Sequence, residues 1–297
     1  MTPRRAFRWG LIVVLLLPAL TLLDRDQQTR PPHTAAWFET AGVRWRGVRT
    51  GTGPPLLVML HGFGEHLLTW RALVDPLSRH AEVLAVDWPG FGGSDKPDSS
   101  YSLQAMADRL EALLERWTSD SVVLVAHSMG GAVAVEAALR HPDRIQALVL
   151  IAPAGLQGGL GELVEMAGAR GAAAGGIWEA VRSFLTPVHD PGWLAEEGEA
   201  AAYDPGLDPA YRSSSARVLR EFDFEGVSRR FGELTQPVLL IWGRFDPVIP
   251  FATADSMAGL IPCVHLAPLN ALHRPQVERP DTVIALIRSF LADPYCH

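Results

Sequence analysis

Short apolar runs alternate with amphipathic stretches along most of this chain, a rhythm that predicts a mostly parallel sheet covered by helices on both faces. The runs LLVML (56–60), EVLAVD (82–87), SVVLVAH (121–127), IQALVLIA (145–152), PVLLIW (237–242) and CVHLAPL (263–269) read as interior strands. Upstream, WFET (37–40) and VRWRGVR (43–49) flank Ala41-Gly42 and predict a hairpin, the second arm alternating as an edge strand does. Helical periodicity fills about 67–79, 103–118, 129–140, 252–260 and 279–292. Together these elements predict an α/β fold with a doubly wound, mostly parallel, eight-stranded sheet.

The rhythm breaks in two places. Between 156 and 234 there is no strong strand signal, so this interval reads as an inserted, mainly helical cap. Its first part, GGLGELVEMAGARGAAAGG (158–176), predicts a helix over the site, and Trp178, Phe184, Leu185, Trp193, Tyr203, Tyr211, Phe222 and Phe224 supply apolar surface for folding. The second break is N-terminal: Arg4, Arg5 and Arg8 precede WGLIVVLLLPALTLL (9–23), which is apolar on every face. Its length lies between a spanning helix and a signal-peptide core, and Ala19 with Thr21 makes a poor cleavage site. The expectation is a single-pass anchor in the cytoplasmic membrane, with the bulk of the chain outside and Pro31-Pro32 in a tether; secretion after cleavage is the alternative. The chain thus divides into an N-terminal segment (1–35), a core (36–155 and 235–297) and a cap (156–234).

Composition narrows the partners. A net charge of -7 over 297 residues gives no electrostatic reason to bind nucleic acid. Cys263 and Cys296 are too few and too far apart for a metal site, and no metal or other cofactor is expected. In an exported chain they could pair as a disulfide, against which stands the penultimate position of Cys296.

The chemistry is carried by AHSMGG (126–131), between the apolar VVLV (122–125) and the small-residue helix pattern AVAVEAAL. A serine nucleophile needs a tight turn that opens its hydroxyl to a base on one side and a carbonyl on the other. Crowding at such an apex calls for small residues two positions before and after Ser128, and these are Ala126 and Gly130; Gly131 lets the helix approach the sheet. A base and an orienting acid are then required. Asp246, in WGRFDPVIP, and His273, in APLNALHRPQVERP, both follow strands at the edge where open parallel sheets bind ligands.

With HGFG (61–64) and DWPGFGGSDKP (87–97) these motifs resemble, in order, those of the α/β-hydrolases, over about residues 36–297. The resemblance implies Ser128 as nucleophile, His273 as base, Asp246 as orienting acid, and an oxyanion hole from the backbone amides of Phe63 and Met129. Two departures are Ala126 and Leu272, where the family often has glycine; the second touches the conformation of the His273 loop. Serine at the elbow implies acyl transfer, with a small-molecule or lipid ester as substrate. Carbon–carbon bond hydrolysis of the meta-cleavage-product type, a cofactor-free perhydrolase or haloperoxidase, and a non-catalytic binding module remain alternatives. Among competing residues, His61 and His127 are expected to hold loop backbone, His66 to line the pocket mouth and His265 to be structural. Asp87 and Asp95 are expected to serve turns, Asp223 and Glu225 to be solvated, and Trp70 and Trp88 to pack.

Overall fold

The computed structural model describes residues 33–117, 121–156 and 208–296. Its strands are β1 (Ala36–Thr40), β2 (Val43–Thr50), β3 (Leu56–Leu60), β4 (Glu82–Val86), β5 (Val122–His127), β6 (Ile145–Ile151), β7 (Val238–Gly243) and β8 (Val264–Leu269). They form one sheet in the order β1-β2-β4-β3-β5-β6-β7-β8. The pairs β1–β2 and β2–β4 are antiparallel and the rest parallel. The described helices are α1 (Arg71–Ser78), α2 (Leu103–Trp117), α3 (Met129–Arg140), α4 (Pro209–Glu221), α5 (Ala252–Ala258), α6 (Pro275–Glu278) and α7 (Pro280–Ala292).

Strand side chains alternate between two cores, as the pleat requires. On β3, Leu56, Val58 and Leu60 join a core with residues of α2, α3 and α4, while Leu57 and Met59 join another with α1 and α7. Apolar residues at every position of the strand are thereby explained. One predicted helix is subdivided: 67–79 begins as a 3-10 turn, Leu67–Trp70, before α1. Residues 279–292 form α7, which starts at Pro280, a residue that cannot prolong α6 because it has no N–H.

Strand position departs from expectation at both ends of the sheet. β2 is not an edge strand, since β1 covers it and Trp45, Arg46 and Val48 are buried. β8 is the edge, half-buried throughout; Val264 and Leu266 pack against the core that includes α5, Ala267 and Leu269 against the core that includes α7, and the His265 ring is 5.7 Å from that of Phe290. Cys263 and Cys296 form a disulfide, Cα to Cα 5.6 Å, that ties the end of the chain back to β8. The penultimate cysteine is therefore held rather than frayed, because α7 returns along that edge.

Topology decides where a ligand goes. From β3 the chain passes to β4 on one side and later to β5 on the other, so the crevice between the loops after β3 and β5 is the switch point. Part of the predicted cap leans over this crevice: α4 buries Tyr211 and Val218, and the turn after it buries Phe222 and Phe224. Asp208 caps α4 by accepting from the Ala210 amide at 2.8 Å. The predicted helix at 158–176, Trp178, Phe184, Leu185, Trp193 and Tyr203, and the predicted anchor at 9–23 lie outside the described residues. Among the described residues, no helix is long and apolar enough to cross a membrane.

Candidate active site

Ser128 sits at the turn between β5 and α3 with φ 50° and ψ -119°, a left-handed conformation that costs a non-glycine residue roughly 1–3 kcal/mol. The turn is crowded, as the small-residue pattern requires. A Cβ on Gly130 would stand 2.6 Å from the Leu60 carbonyl oxygen and 2.7 Å from that of His61, so only glycine fits there. The Ser128 carbonyl accepts from Gly131 at 2.8 Å and Ala154 at 3.0 Å, which pins the strained turn to the helix and to the loop after β6.

Three side chains from separate loops meet at this turn. His273 Nε2 lies 3.1 Å from Ser128 Oγ, and His273 Nδ1 donates to Asp246 Oδ2 at 2.7 Å. Because a carboxylate only accepts, the ring proton belongs on Nδ1 and the Nε2 lone pair faces the serine hydroxyl. Burial pushes the His273 pKa below its ordinary value, against the opposing pull of Asp246, which favours the neutral, proton-accepting ring. Asp246 itself is fully engaged, its Oδ1 accepting from the amides of Val248 at 2.8 Å and Ile249 at 2.9 Å.

The His273 loop has no glycine before the histidine, and the structure supplies another support. Glu278, on α6, accepts from the Leu272 amide at 2.6 Å and the Arg274 amide at 2.9 Å, bracketing His273 on both sides. Beneath the loop, a Cβ on Gly243 would lie 1.8 Å from the Leu272 carbonyl oxygen, so the close approach of the two loops depends on that glycine. Leu272 itself is half exposed.

Of the two expected amide donors, Met129 opens α3, in the first turn, where N–H groups have no intrahelical acceptor. Phe63 is buried in the loop after β3, its ring edge-on to Phe91 at 5.7 Å, and Phe91 meets Tyr211 in the same way at 5.8 Å. α4 is bonded to both loops beneath it: the Tyr211 hydroxyl donates to the Gly64 carbonyl at 2.9 Å, and the Ser214 hydroxyl to Gly90 at 2.6 Å.

A sequence family described as the alpha/beta hydrolase fold matches residues 55–177. The chain has the alpha/beta hydrolase fold. It is 27% identical over 280 residues to the 2-hydroxymuconate semialdehyde hydrolase of Pseudomonas sp. (strain CF600), covering 88% of this chain and 95% of that one. It is 29% identical to the pimeloyl-[acyl-carrier protein] methyl ester esterase of Aeromonas hydrophila, covering 82% and 97%. A solved membrane phospholipase A, described as a bacterial virulence factor, superposes with a TM-score of 0.73 at 24% identity, covering 95% and 96%.

Within this fold the competing residues take the roles expected of them, with one exception. His61 Nδ1 bonds the Gly62 carbonyl at 2.8 Å and its Nε2 accepts from the Trp88 amide at 3.0 Å, so it braces backbone. Asp87 accepts from the amides of Leu67 at 2.7 Å and Gly93 at 2.8 Å, and Asp95 from Arg44. Trp70 and Trp88 are fully buried, and the Trp88 indole donates to the His61 carbonyl at 3.0 Å. The exception is His66, which is buried with its pKa lowered by that burial to about 4, and does not line an open mouth. Among the described residues, Cys263, His265 and Cys296 form the one group of three potential metal ligands. Their two sulfurs are joined to each other, so neither is a thiolate, and His265 is the only strong metal donor of the three.

Sequence reasoning missed Glu65 and Glu278. Glu65 stands four residues beyond His61 in a loop that reads as turn sequence, and its partner is 62 positions away. Glu278 lies near the histidine, and its spacing of six from Leu272 fits a clamp on a short helix.

Proposed function

We propose that the chain is a serine hydrolase that cleaves carboxylic esters through an acyl-enzyme on Ser128. The observation that carries this reading is the continuous line from Asp246 Oδ2 through the His273 ring to Ser128 Oγ. The Ser128 hydroxyl proton passes to His273 Nε2 as Oγ attacks the ester carbonyl carbon. The resulting oxyanion is held by the amides of Met129 and Phe63, the first of them at the positive end of α3. On collapse the C–O bond breaks and the leaving alkoxide takes the proton from Nε2. Water then gives a proton to the same nitrogen, attacks the acyl carbon, and releases the acid as Ser128 is reprotonated. Asp246 keeps the ring in its working tautomer and stabilises the imidazolium in each half-reaction.

A second reading, carbon–carbon bond hydrolysis, is supported by the similarity to the 2-hydroxymuconate semialdehyde hydrolase over most of both chains. Aryl esters from acetyl to long acyl, run beside a dienone substrate with Ser128→Ala as control, separate the two. Faster turnover of the dienone overturns the esterase reading, and labelling by a fluorophosphonate that survives Ser128→Ala overturns the nucleophile.

In the same proposal, residues 156–234 form a cap that shapes the acyl pocket, residues 1–35 anchor the enzyme, and the catalytic unit works outside the cytoplasmic membrane. The supports are the three arginines before the apolar run at 9–23 and the Cys263–Cys296 disulfide, a bond of oxidising compartments. Full-length protein should stay with membranes through an alkaline carbonate wash; a shortened soluble form would indicate a cleaved signal instead.

A further inference from the structure

Beside the proposed base lies a second acid–imidazole pair that the ester mechanism does not use. His127, the residue before Ser128, has its Nδ1 2.8 Å from Glu65 Oε2 and its Nε2 2.9 Å from the backbone carbonyl oxygen of His273. A carbonyl oxygen can only accept, so Nε2 must carry a proton. A carboxylate can only accept as well, so Nδ1 must carry one wherever Glu65 is ionised. Burial pushes the Glu65 carboxyl up, but the His127 charge and hydrogen bond, Arg274 and the Gly62 amide outweigh it and hold it well below the usual carboxylate range. Both ring nitrogens thus face acceptors, and the ring is sealed under the turn, 1% exposed beside a Glu65 side chain that is 4% exposed.

The pair joins two parts of the site that no chain connection joins. Glu65 Oε2 also accepts from the Gly62 amide at 2.9 Å, in the loop expected to supply an oxyanion donor, and Oε1 accepts from the Thr69 hydroxyl at 3.4 Å. Arg274 Nη1 stands 4.0 Å from Oε1. Through His127 the same carboxylate reaches the backbone of His273, whose ring centroid is 4.8 Å from that of His127.

We propose that Glu65 and His127 are positioning residues, a buried carboxylate–imidazolium strut that fixes the oxyanion loop against the His273 loop and sets the charge felt by the His273 ring. This rests on the serine hydrolase reading for its kinetic consequences only. The charged groups that face His273 are Asp246 from the loop after β7, His127 from the end of β5 and Glu65 from the loop after β3, with Arg274 adjacent in sequence. A cation on His127 makes a second charge on His273 costly, and the two carboxylates favour it. In His127→Gln the cation is lost, so His273 takes a proton more readily. In Glu65→Gln the anion is lost, and with it the need for a proton on His127 Nδ1, because the new amide can donate there, so the two changes oppose each other.

The test has one readout independent of activity. In the full chain labelled with ¹⁵N-histidine, both ring nitrogens of His127 should carry protons at pH 8, and Glu65→Gln should remove one of them. A single ring proton in the wild type overturns the proposal, whatever the enzyme's substrate. On whichever ester is turned over, His127→Gln should lower kcat/KM on the order of 10- to 100-fold and move the acid limb of its pH profile up by about one unit. Glu65→Gln should lower kcat/KM while leaving that limb nearly in place. A fall in kcat/KM with no movement of the limb in His127→Gln would reduce the pair to structural support and overturn the electrostatic half. If neither ester nor dienone is hydrolysed, the serine hydrolase reading fails and the labelling result still decides the strut.

Discussion

Two acid–imidazole pairs stand side by side at the same edge of the sheet, Asp246 with His273 and Glu65 with His127, and their contact distances are nearly equal at 2.7 and 2.8 Å. What separates them is the partner of the second ring nitrogen. His273 Nε2 meets a hydroxyl, which can donate, so the ring can rest neutral and accept a proton. His127 Nε2 meets a carbonyl oxygen, which cannot donate, so that nitrogen stays protonated and the ring can hold but cannot take. An imidazole beside a carboxylate is therefore not a base by that fact; the atom on its far side decides.

The comparison can be broken most severely at the hydroxyl. Ser128→Ala removes the atom that distinguishes the pairs, and kcat/KM for an aryl ester should fall by on the order of 10⁴-fold or more. Asp246→Asn should follow at about 10³- to 10⁴-fold, since the amide favours the wrong tautomer of His273. Glu65→Gln, the matching change in the other pair, should cost on the order of tenfold. An equal loss in both variants, measured as kcat/KM on one substrate, would erase the distinction between base and strut. Glu278→Gln should cost less again, about threefold to tenfold, because one of its two amide contacts survives; steady-state kinetics with unchanged melting temperature would show this.

A thermodynamic test sharpens the same contrast. His61, His66 and His273 are buried with pKa values lowered by that burial, so they stay neutral in the fold while the unfolded chain takes up protons. Stability is then fully present above about pH 6.5 and falls as pH drops towards the lowered values. For His66, moved from 6.5 to about 4, the loss at pH 5 is about 2 kcal/mol. Thermal melts at pH 7.5 and 5 should show a drop in melting temperature that narrows in His66→Gln.

The strand and helix pattern of the core was readable because each strand's apolar run is local, and Ser128, Asp246 and His273 were readable because each follows such a run at one sheet edge. Position within the sheet was not. β2 alternates like an edge strand yet lies inside, since its polar Arg46 is buried against the Gly-rich loop, with Ser94 Oγ bonded to its amide at 2.8 Å. Glu65 and His127 were unreadable as a pair for a similar reason: 62 residues separate them, and only the parallel pairing of β3 with β5 brings their loops together. The disulfide depended on α7 returning along β8, which residue types do not announce.

The Glu278 clamp leaves a practical opening. It grips the backbone on either side of His273, and Phe245 is likewise held through its amide, which donates to the Ala271 carbonyl at 3.1 Å. The side chains of Leu272 and Phe245, 51% and 65% exposed and next in sequence to His273 and Asp246, carry none of those bonds. Random libraries at these two positions can therefore be carried without disturbing the backbone bonds that align the two loops.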